Sequence, residues 1–436
     1  MPRIGLRRAL AHRNFRLFLC GQGISLVGTW MQQLGLSWLV FRLTGSASLL
    51  GLVGFCTQIP IFFLAPLAGV LADRWNRHRA ILVTQVLAMA QAGVLAGLTL
   101  TDRIEIWQIL VLSVLLGVIN AFDMPLRQSF FAEMVTNKKD LPNAIALNSS
   151  IVNAARLLGP SLGGLVISIG GEKTCFAVNA VSYLAVLAAL GAMRDLPKRT
   201  HRGHPAVLHG LADGLRYAAG SGPIRWLLLL MGAVSVATMP MLILMPVIVS
   251  DVFHAGPQLL GFLLAASGLG ALASAAYLAL RRHILGLARL MTIGTAVLGL
   301  AMVGFATSKV VWISLGLMFV NGFCLMFQMA VTNTLLQTVV DEDKRGRVMS
   351  LYTIAVIGTA PLGSLLGGTL AEHFSAPLVV GLGGAACLLG AGLFALNLPR
   401  LREQIRPIYR RIGILPPVAE ALQASAELSS PPETAS

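Results

Sequence analysis

The sequence predicts an all-α membrane protein in which twelve transmembrane helices form two bundles of six. Three observations carry this prediction. The 436 residues are 56% hydrophobic and only 12% charged, a composition too apolar for a soluble globular domain. Twelve apolar segments follow one another, and each is about as long as a bilayer-spanning helix needs to be. The first six segments also resemble the last six, which indicates an internal duplication.

The predicted spans alternate with short polar stretches, and the longest interruption, 194–225, divides them six and six. Span 5 is the least regular because it contains Arg156, and spans 11 and 12 are separated only by residues 372–376. The approximate spans are 17–41, 49–71, 80–101, 106–125, 142–170, 174–193, 224–250, 257–280, 288–307, 310–335, 348–371 and 376–398.

The distribution of lysine and arginine predicts the orientation. With the N-terminus inside, the cytoplasmic stretches hold 28 of the 33 lysines and arginines, the outer loops hold 4, and Arg156 lies within a span. Positive residues favour the cytoplasmic side of membrane proteins, so we expect both termini in the cytoplasm. The same asymmetry accounts for the net charge of +15 without a nucleic-acid partner.

Matching stretches support the duplication. Leu147, Gly159 and Gly163–Gly164 recur 204 residues later as Leu351, Gly363 and Gly367–Gly368, and Leu50–Gly51 recurs 210 residues later as Leu260–Gly261. Duplicated membrane bundles of this kind bind their ligands between the halves, near the middle of the bilayer. We therefore expect an N-terminal bundle (1–193), a cytoplasmic linker with a short surface helix (194–223), a C-terminal bundle (224–399) and a disordered cytoplasmic tail rich in Pro, Ser, Ala and Glu (400–436).

The most informative stretch is the charged turn between spans 2 and 3, which runs from Gly69 to Arg79. An acid at the membrane face, here Asp73, is costly unless it is paired or close to a helix N-terminus. Arg74, Arg77 and Arg79 suit the cytoplasmic side. A generic basic loop would not require this particular order of residues.

The turn resembles the loop between helices 2 and 3 that marks the major facilitator superfamily, Gly-x-Leu-Ala-Asp-Arg-x-Gly-Arg followed by Lys or Arg. Asn76 replaces the second glycine, and we expect it to make the turn because asparagine tolerates a left-handed conformation. His78 replaces the final basic residue, with Arg79 next to it. The resemblance implies the major facilitator fold and a cytoplasmic gate that stabilises one conformation, formed by Gly69, Asp73, Arg74, Arg77 and Arg79.

A second resemblance narrows the function. The stretches Phe41–Ser46, Pro125–Ser129 and Leu141–Ser149 are similar to one bacterial branch of the superfamily, which contains the enterobactin exporter and macrolide efflux proteins. The similarity covers most of residues 12–400. It implies a secondary active transporter of the bacterial inner membrane that exports an amphipathic small molecule, such as a drug or a siderophore, by alternating access. Proton-coupled antiport is the mechanism that the family leads us to expect.

Arg156 is the strongest interior candidate for contact with substrate or for the coupling step. It lies about 14 residues into span 5, roughly 21 Å along the helix axis, and so close to the bilayer centre. A charge at that depth costs on the order of 3 kcal/mol or more unless it is paired or faces water. Two interpretations stay open: Arg156 faces a central cavity and binds anionic or polar substrate groups, or it bonds to helix carbonyls or to an acid on a neighbouring helix.

A helix-packing motif follows Arg156 directly and contains Gly159, Pro160, Gly163 and Gly164. Its counterparts in the second half include Gly363 and Gly367. The motif resembles the Gly-Pro-x-x-Gly-Gly core of the superfamily's helix 5 antiporter motif, although Ala155 replaces an upstream glycine. Proline weakens a helix and glycine lets a neighbour approach closely, so both close packing and a role in rocking of the halves fit the pattern.

Few other polar groups lie within the predicted spans. Asp123 is the carboxylate well inside a span, and it either carries protons or forms an ion pair with Arg127 one turn away or with an arginine of the charged turn. The candidates for lining the cavity are Gln22, Gln58, Asn120 and Asn148, and we expect others of this kind to bond between helices instead.

The sequence also suggests what the protein lacks. The five cysteines lie in apolar runs without metal-ligand or disulfide spacing, and no nucleophile elbow, Walker loop or pair of catalytic carboxylates is visible. We therefore expect no enzymatic activity, no cofactor apart from a proton gradient as driving force, and no partners other than lipid and a small-molecule substrate, with the protein acting as a monomer. The rival interpretations are an uncoupled lipid or metabolite facilitator and a membrane sensor or scaffold that does not transport.

Overall fold

The computed structural model describes residues 6–72, 75–135, 140–194, 207–281 and 285–411. These residues form helices and contain no strand, which confirms the all-α fold class. The helices are α1 (Leu6–Ala11), α2 (Arg13–Thr44), α3 (Ala47–Ala72), α4 (Arg77–Leu100), α5 (Ile106–Met134), α6 (Leu141–Gly170), α7 (Glu172–Gly191), α8 (Val207–Gly220), α9 (Gly222–Ile243), α10 (Met245–Asp251), α11 (Pro257–Leu280), α12 (Leu287–Thr307), α13 (Val311–Val339), α14 (Arg345–Thr353), α15 (Ala360–His373) and α16 (Ala376–Arg411). A π-helical segment, Ile354–Gly358, joins α14 to α15.

Eleven spans within the described part of the chain are long and apolar enough to cross a membrane. The 32-residue helix α2 is not among them. Its central stretch contains Gln22, Gln32 and Gln33, which lower its mean hydropathy. The prediction of a multi-pass membrane protein is confirmed, and the count of twelve spans stays a prediction.

Helices at corresponding positions of the two halves have corresponding neighbours. In the first half, α2 packs against α6 and α7, and α4 packs against α5 and α7. In the second half, α9 packs against α15 and α16, and α12 packs against α13 and α16. The repeated sequence is thus matched by repeated packing. The first half also contains a buried polar cluster, in which Asn179 Nδ2 donates to Gln32 Oε1 at 2.7 Å and Gln32 Nε2 donates to Gln91 Oε1 at 3.2 Å.

Two predicted boundaries differ from the structure. Residues 400–411, which we assigned to a disordered tail, continue α16, because Leu401 and Ile405 lie one helical turn apart and are buried against the core of the second half. Span 7, predicted as one helix over 224–250, is divided at Leu244 into α9 and α10. Pro246 follows the break, at a position where a missing N–H costs little.

The short helix predicted in the linker is present as α8, and it is bonded to the second half. Arg347 Nη1 lies 3.5 Å from an Asp213 carboxylate oxygen, and the Tyr217 hydroxyl donates to Asp341 at 2.9 Å. The Lys344 ammonium lies 4.5 Å from the centre of the Tyr217 ring. Burial, together with the hydrogen bond to Asp341, raises the pKa of the Tyr217 phenol, so this donor stays protonated at neutral pH.

Candidate functional site

The two halves meet along two helix pairs, α3 with α15 and α6 with α11, and glycines form the closest contact in each pair. A Cβ placed on Gly51 would lie 2.9 Å from the Cα of Gly368, and a Cβ placed on Gly164 would lie 3.2 Å from the Cα of Gly261. The sequence repeat pairs Gly51 with Gly261 and Gly164 with Gly368. The two contacts are therefore equivalent positions of the duplicated fold, and only glycine leaves room for the approaching backbone.

Both glycine contacts lie towards one end of the molecule, which we call the Glu372 end. Hydrogen bonds between the halves concentrate there: the Ser48 N–H donates to Glu372 Oε2 at 2.9 Å, and Gln258 Nε2 donates to Ser168 Oγ at 2.8 Å. Further along α3, Gln58 Nε2 contacts Ser364 Oγ at 3.5 Å.

The opposite end, which we call the Arg77 end, is bonded differently. Arg77 Nη1 lies 2.5 Å from Glu133 Oε1 and donates to the Ser129 carbonyl at 3.2 Å, so it joins α4 to α5 within the first half. Arg347 likewise bonds within the second half and its linker helix. Among hydrogen bonds and ion pairs formed between described residues, none joins the two halves at this end. The halves are thus held together at the Glu372 end.

The predicted cytoplasmic gate is described only in part. Gly69 lies in α3, whereas Asp73 and Arg74 lie outside the described residues. Arg79 is exposed. The expectation of a left-handed turn at Asn76 was wrong: the residue is extended (φ −69°, ψ 106°) and caps α4, with its side-chain oxygen accepting the Arg79 N–H at 3.1 Å. A helix cap satisfies an N–H group that has no partner inside the helix, which explains the preference for this conformation.

Glu133→Gln is expected to lower the stability of the first half by about 2 kcal/mol, because it removes a charge-assisted bond to a mostly buried Arg77. The thermal unfolding midpoint of the purified protein in detergent measures the effect. Arg79→Gln, at an exposed position of the same turn, is the matched control and should leave the midpoint unchanged. Equal midpoints for the Glu133 variant and the unmodified protein would contradict this account of the ion pair.

Arg156 lies where α2, α6 and α11 cross. Its guanidinium carbon is 5.8 Å from the centre of the Trp30 ring on α2, and a Cβ on Gly268 of α11 would lie 3.1 Å from the Arg156 carbonyl oxygen. Within the described part of the chain, its side chain makes no hydrogen bond and no ion pair. The predicted alternative, an arginine bonded to an acid or to helix carbonyls, is not what these residues show. Arg156 is half-buried, and its guanidinium lies over the Trp30 ring at the distance of a cation–π contact.

The packing motif that follows Arg156 contacts the first helix of its own half. Gly159 lies against Trp30 and the Val27 carbonyl, and a Cβ on Gly163 would lie 3.3 Å from the Met31 Cα. Pro160 supplies a carbonyl oxygen 2.5 Å from the Cβ position of Gly261 in the other half. This one motif therefore touches both the Arg156 region and the contact between the halves.

The second half repeats this arrangement. Gly363 lies against Met239 and the Val236 carbonyl, and Gly367 lies against Pro240, all of them residues of α9. Val236, Met239 and Pro240 have the same spacing in α9 as Val27, Trp30 and Met31 have in α2. The duplicated contact lacks the indole because Met239 stands in place of Trp30, and it lacks the cation because Ala360 stands 204 residues after Arg156. The Arg156–Trp30 pair thus belongs to the first half alone.

Asp123 is buried in a polar cluster. Its carboxylate is paired with Arg127 one turn away, and it accepts from Thr84 Oγ1 at 2.7 Å and from Gln85 Nε2 at 2.8 Å. Only 2% of the Asp123 surface is exposed. Of the two interpretations of this acid, the ion pair with Arg127 is therefore the one that the structure contains.

The four polar candidates for the cavity lie in different surroundings. Gln22 is buried, and its Oε1 has no hydrogen-bond partner among the described residues. Gln58 contacts Ser364 of the other half. Asn120 and Asn148 are half-buried and make no side-chain hydrogen bond within the described part of the chain. Among the described residues, the structure therefore does not join these four candidates to one another by hydrogen bonds.

Sequence reasoning missed Glu372, which we assigned only to the break between spans 11 and 12. The structure makes it the acceptor of the bond that joins α15 to α3. The sequence repeat could have indicated Glu372. At the spacing of 204 residues Ser168 is the equivalent position, so one half has a carboxylate where the other half has a hydroxyl.

The described helices thus form two halves with repeated packing, which meet along α3 with α15 and along α6 with α11. A family model described as transmembrane secretion effector matches residues 8–418. The chain belongs to this family, within the major facilitator superfamily, and is a secretion or efflux transporter rather than an enzyme.

The relatives agree with this assignment. The chain is 25% identical to the staphyloferrin A transporter of Staphylococcus aureus, with 82% of this chain and 90% of that protein covered. It is 29% identical to the multidrug efflux pump Tap of Mycobacterium tuberculosis, with 88% and 91% covered. It is also similar to macrolide efflux protein A of Streptococcus pyogenes, at 21% identity with 83% and 90% covered.

Solved structures share the fold. The nucleoside transporter NupG superposes with a TM-score of 0.67 at 14% identity, covering 88% of this chain and 98% of the other. A bacterial homologue of the iron transporter ferroportin, solved in an inward-facing state, superposes with a TM-score of 0.66 at 18% identity, with the same coverage. At these identities the likeness concerns the fold alone.

Proposed function

We propose that this protein exports an amphipathic small molecule that carries an anionic group, in the manner of a siderophore or an acidic drug. Transport would follow alternating access across the bacterial inner membrane, in exchange for protons. The Arg77 end would face the cytoplasm together with both termini, because the lysines and arginines concentrate on that side. The relatives named as siderophore transporter and drug efflux pumps support this class of substrate.

The observation that carries the proposal is the isolation of Arg156 from acids within the described part of the chain. A guanidinium inside a membrane span is stable only with a counter-charge or with water around it. Trp30 supplies one apolar, electron-rich face. A substrate carboxylate would supply the missing charge in a bidentate bond, while an aromatic or aliphatic part would lie against Trp30. This pairing of cation and indole matches an amphipathic anion.

The geometry also supports alternating access. The halves are bonded to each other at the Glu372 end, whereas at the Arg77 end the described ion pairs stay within each half. We propose that the interior is reached from the Arg77 end, because the hydrogen bonds that described residues form between the halves lie at and towards the Glu372 end. For export, this is the side from which substrate enters if the Arg77 end is cytoplasmic.

The test is accumulation of a panel of compounds in cells that express the protein, with and without a protonophore. The panel contains anionic, neutral and cationic amphiphiles of similar size, together with a catecholate siderophore. We expect lower accumulation of the anionic members, and we expect the protonophore to abolish the difference. Selective export of cations would contradict the proposed role of Arg156.

A second candidate, an uncoupled facilitator, is favoured by one observation. Asp123 is bonded to Arg127, Thr84 and Gln85 and is almost fully buried, which leaves it poorly placed to exchange protons during transport. Transport that continues unchanged after the proton gradient is collapsed would establish this candidate and exclude antiport.

Asp123→Asn is expected to destabilise the protein by about 3 kcal/mol, because Arg127 loses its ion-pair partner in a largely buried site. We expect the folded fraction of the Asp123→Asn protein still to export substrate, and we expect the protonophore still to abolish this export. The measurement combines a thermal midpoint with the accumulation assay. If the variant transported equally well with and without the protonophore, Asp123 would be the proton carrier and the structural account of this residue would be wrong.

A further inference from the structure

The N-terminus of α3 is capped by residues from both halves of the molecule. The Ser46 hydroxyl oxygen accepts the Leu49 N–H at 3.3 Å, and the Ser48 N–H donates across the interface to Glu372 Oε2 at 2.9 Å. The Ser46 hydroxyl also lies 3.2 Å from that same carboxylate oxygen. The first N–H groups of a helix have no partner within the helix, and a negative charge beside them is stabilising. Separation of the halves at this point therefore removes part of the cap of α3.

The equivalent contact in the duplicated pair is neutral. In the repeat, Ser168 of α6 is equivalent to Glu372, and Gln258 of α11 is equivalent to Ser48. Ser168 and Gln258 are also bonded to each other, at 2.8 Å. Of the two equivalent bonds that join the halves, only the one between α3 and α15 contains a titratable group. The interface is symmetric in position and asymmetric in charge.

Solvent reaches Glu372, because the residue is exposed and borders a cleft of about 360 Å³. Asp251 of α10 lines the same cleft, and His373 follows Glu372 in the chain. The other helices packed against α15 bring no charge close by. Helix α3 contains no charged residue, Arg225 lies in the first turn of α9 at the opposite end of that helix, and the first charge in α16 is Arg400. Arg42, at the end of α2, is bonded to Glu172 instead.

We propose that Glu372 is a positioning residue of the transport cycle, at which protonation opens this end of the molecule. A proton from the solvent at the Glu372 end converts the carboxylate to the neutral acid, which removes the negative charge from the N-terminus of α3. The bond to the Ser48 N–H then weakens, and α3 separates from α15. Loss of the proton to the same solvent restores the contact. This inference rests on the alternating access proposed above.

The test is the distance between spin labels at two exposed positions of the Glu372 end, Arg103→Cys in the first half and Lys309→Cys in the second, with Cys20 and Cys56 replaced by alanine. In the otherwise unmodified protein we expect the distance distribution to shift to longer values as the pH falls from about 7 to about 3, a range that extends well below the ordinary glutamate pKa of about 4.3. Glu372→Gln keeps an acceptor oxygen but carries no charge. We expect it to give the long distances over the whole pH range.

Three further variants separate Glu372 from its neighbours. Glu372→Asp keeps a titratable group and should retain the pH response, and His373→Gln should leave it unchanged. Gln258→Ala removes the neutral bond between the halves, so it should lengthen the distances at every pH and still respond to pH. A distance independent of pH in the otherwise unmodified protein would overturn the proposal, and so would a Glu372→Gln variant that still responds to pH. The accumulation assay distinguishes failure of this inference from failure of the proposed function. If the protein exports but the distance does not respond to pH, only the role of Glu372 is refuted. If the protein does not export, the proposed function is refuted.

Discussion

Arg156→Gln is expected to reduce export of anionic substrates at least tenfold while the protein remains folded. The guanidinium has no acid within the described part of the chain, so the substitution removes a charge that no described protein group compensates. A charge-assisted hydrogen bond contributes about 1.5–3 kcal/mol, which corresponds to roughly a ten- to hundredfold change in affinity. The measurement is the initial rate of efflux from preloaded cells as a function of internal substrate concentration.

Two controls define the role of Arg156. Arg103→Gln changes an exposed arginine of a loop and should leave the rate unchanged. Arg156→Lys keeps the charge but loses the planar, bidentate group that stacks on Trp30, so an intermediate rate is expected. Normal export by the glutamine variant would refute the proposal that Arg156 binds substrate. A loss of expression and thermal stability in parallel with the rate would indicate a structural role instead.

Gly51→Val and Gly261→Val are expected to abolish export, because each side chain prevents the halves from closing at the Glu372 end. A Cβ on Gly51 would lie 2.6 Å from the Ser364 carbonyl oxygen, and one on Gly261 would lie 2.5 Å from the Pro160 carbonyl oxygen. Both acceptors are backbone atoms of the other half and cannot move aside as a side chain would. Overpacking of this kind costs about 1–3 kcal/mol, enough to depopulate the closed state by roughly 5- to 150-fold.

The same spin-label pair measures this effect, because an end that cannot close gives long distances at every pH. Gly97→Ala is the matched control, since a Cβ at Gly97 meets no atom within 4 Å. Because Gly51 and Gly261 are equivalent positions, the two valine variants should behave alike. Short distances and normal export in either variant would show that the glycine contacts do not have to close during transport.

Much of the fold could be predicted from the sequence, because a helix that crosses a membrane needs a long apolar run and such runs are easily recognised. Long apolar runs indicated the spans, and the repeat from Gly51 to Gly261 indicated duplicated packing, which the helix contacts contain. The extension of α16 to Arg411 was missed because hydropathy falls after the span, although Leu401 and Ile405 still cover the core. Amphipathic spacing over a few turns is a weak signal beside a charged and proline-containing sequence.

The candidate site was less accessible to sequence reasoning. Arg156 was recognisable because a charge interrupts an apolar span, but its position against Trp30 depends on the rotation of α2 relative to α6. Glu372 sits at a helix end, where a carboxylate is ordinary, and only its contact with α3 distinguishes it. Asp123 had two open interpretations because the donors Thr84 and Gln85 come from a different helix. Such pairings between helices are set by packing rather than by local sequence.

The most direct test of the central claim is uptake of an anionic amphiphile into inside-out membrane vesicles in which a proton gradient, acidic inside, is imposed. The account predicts rapid uptake by the unmodified protein, loss of uptake when a protonophore collapses the gradient, and little uptake by Arg156→Gln under either condition. Uptake that is unaffected by the protonophore would contradict proton exchange. Equal uptake by the Arg156→Gln variant would contradict the proposed binding of an anionic substrate at Arg156.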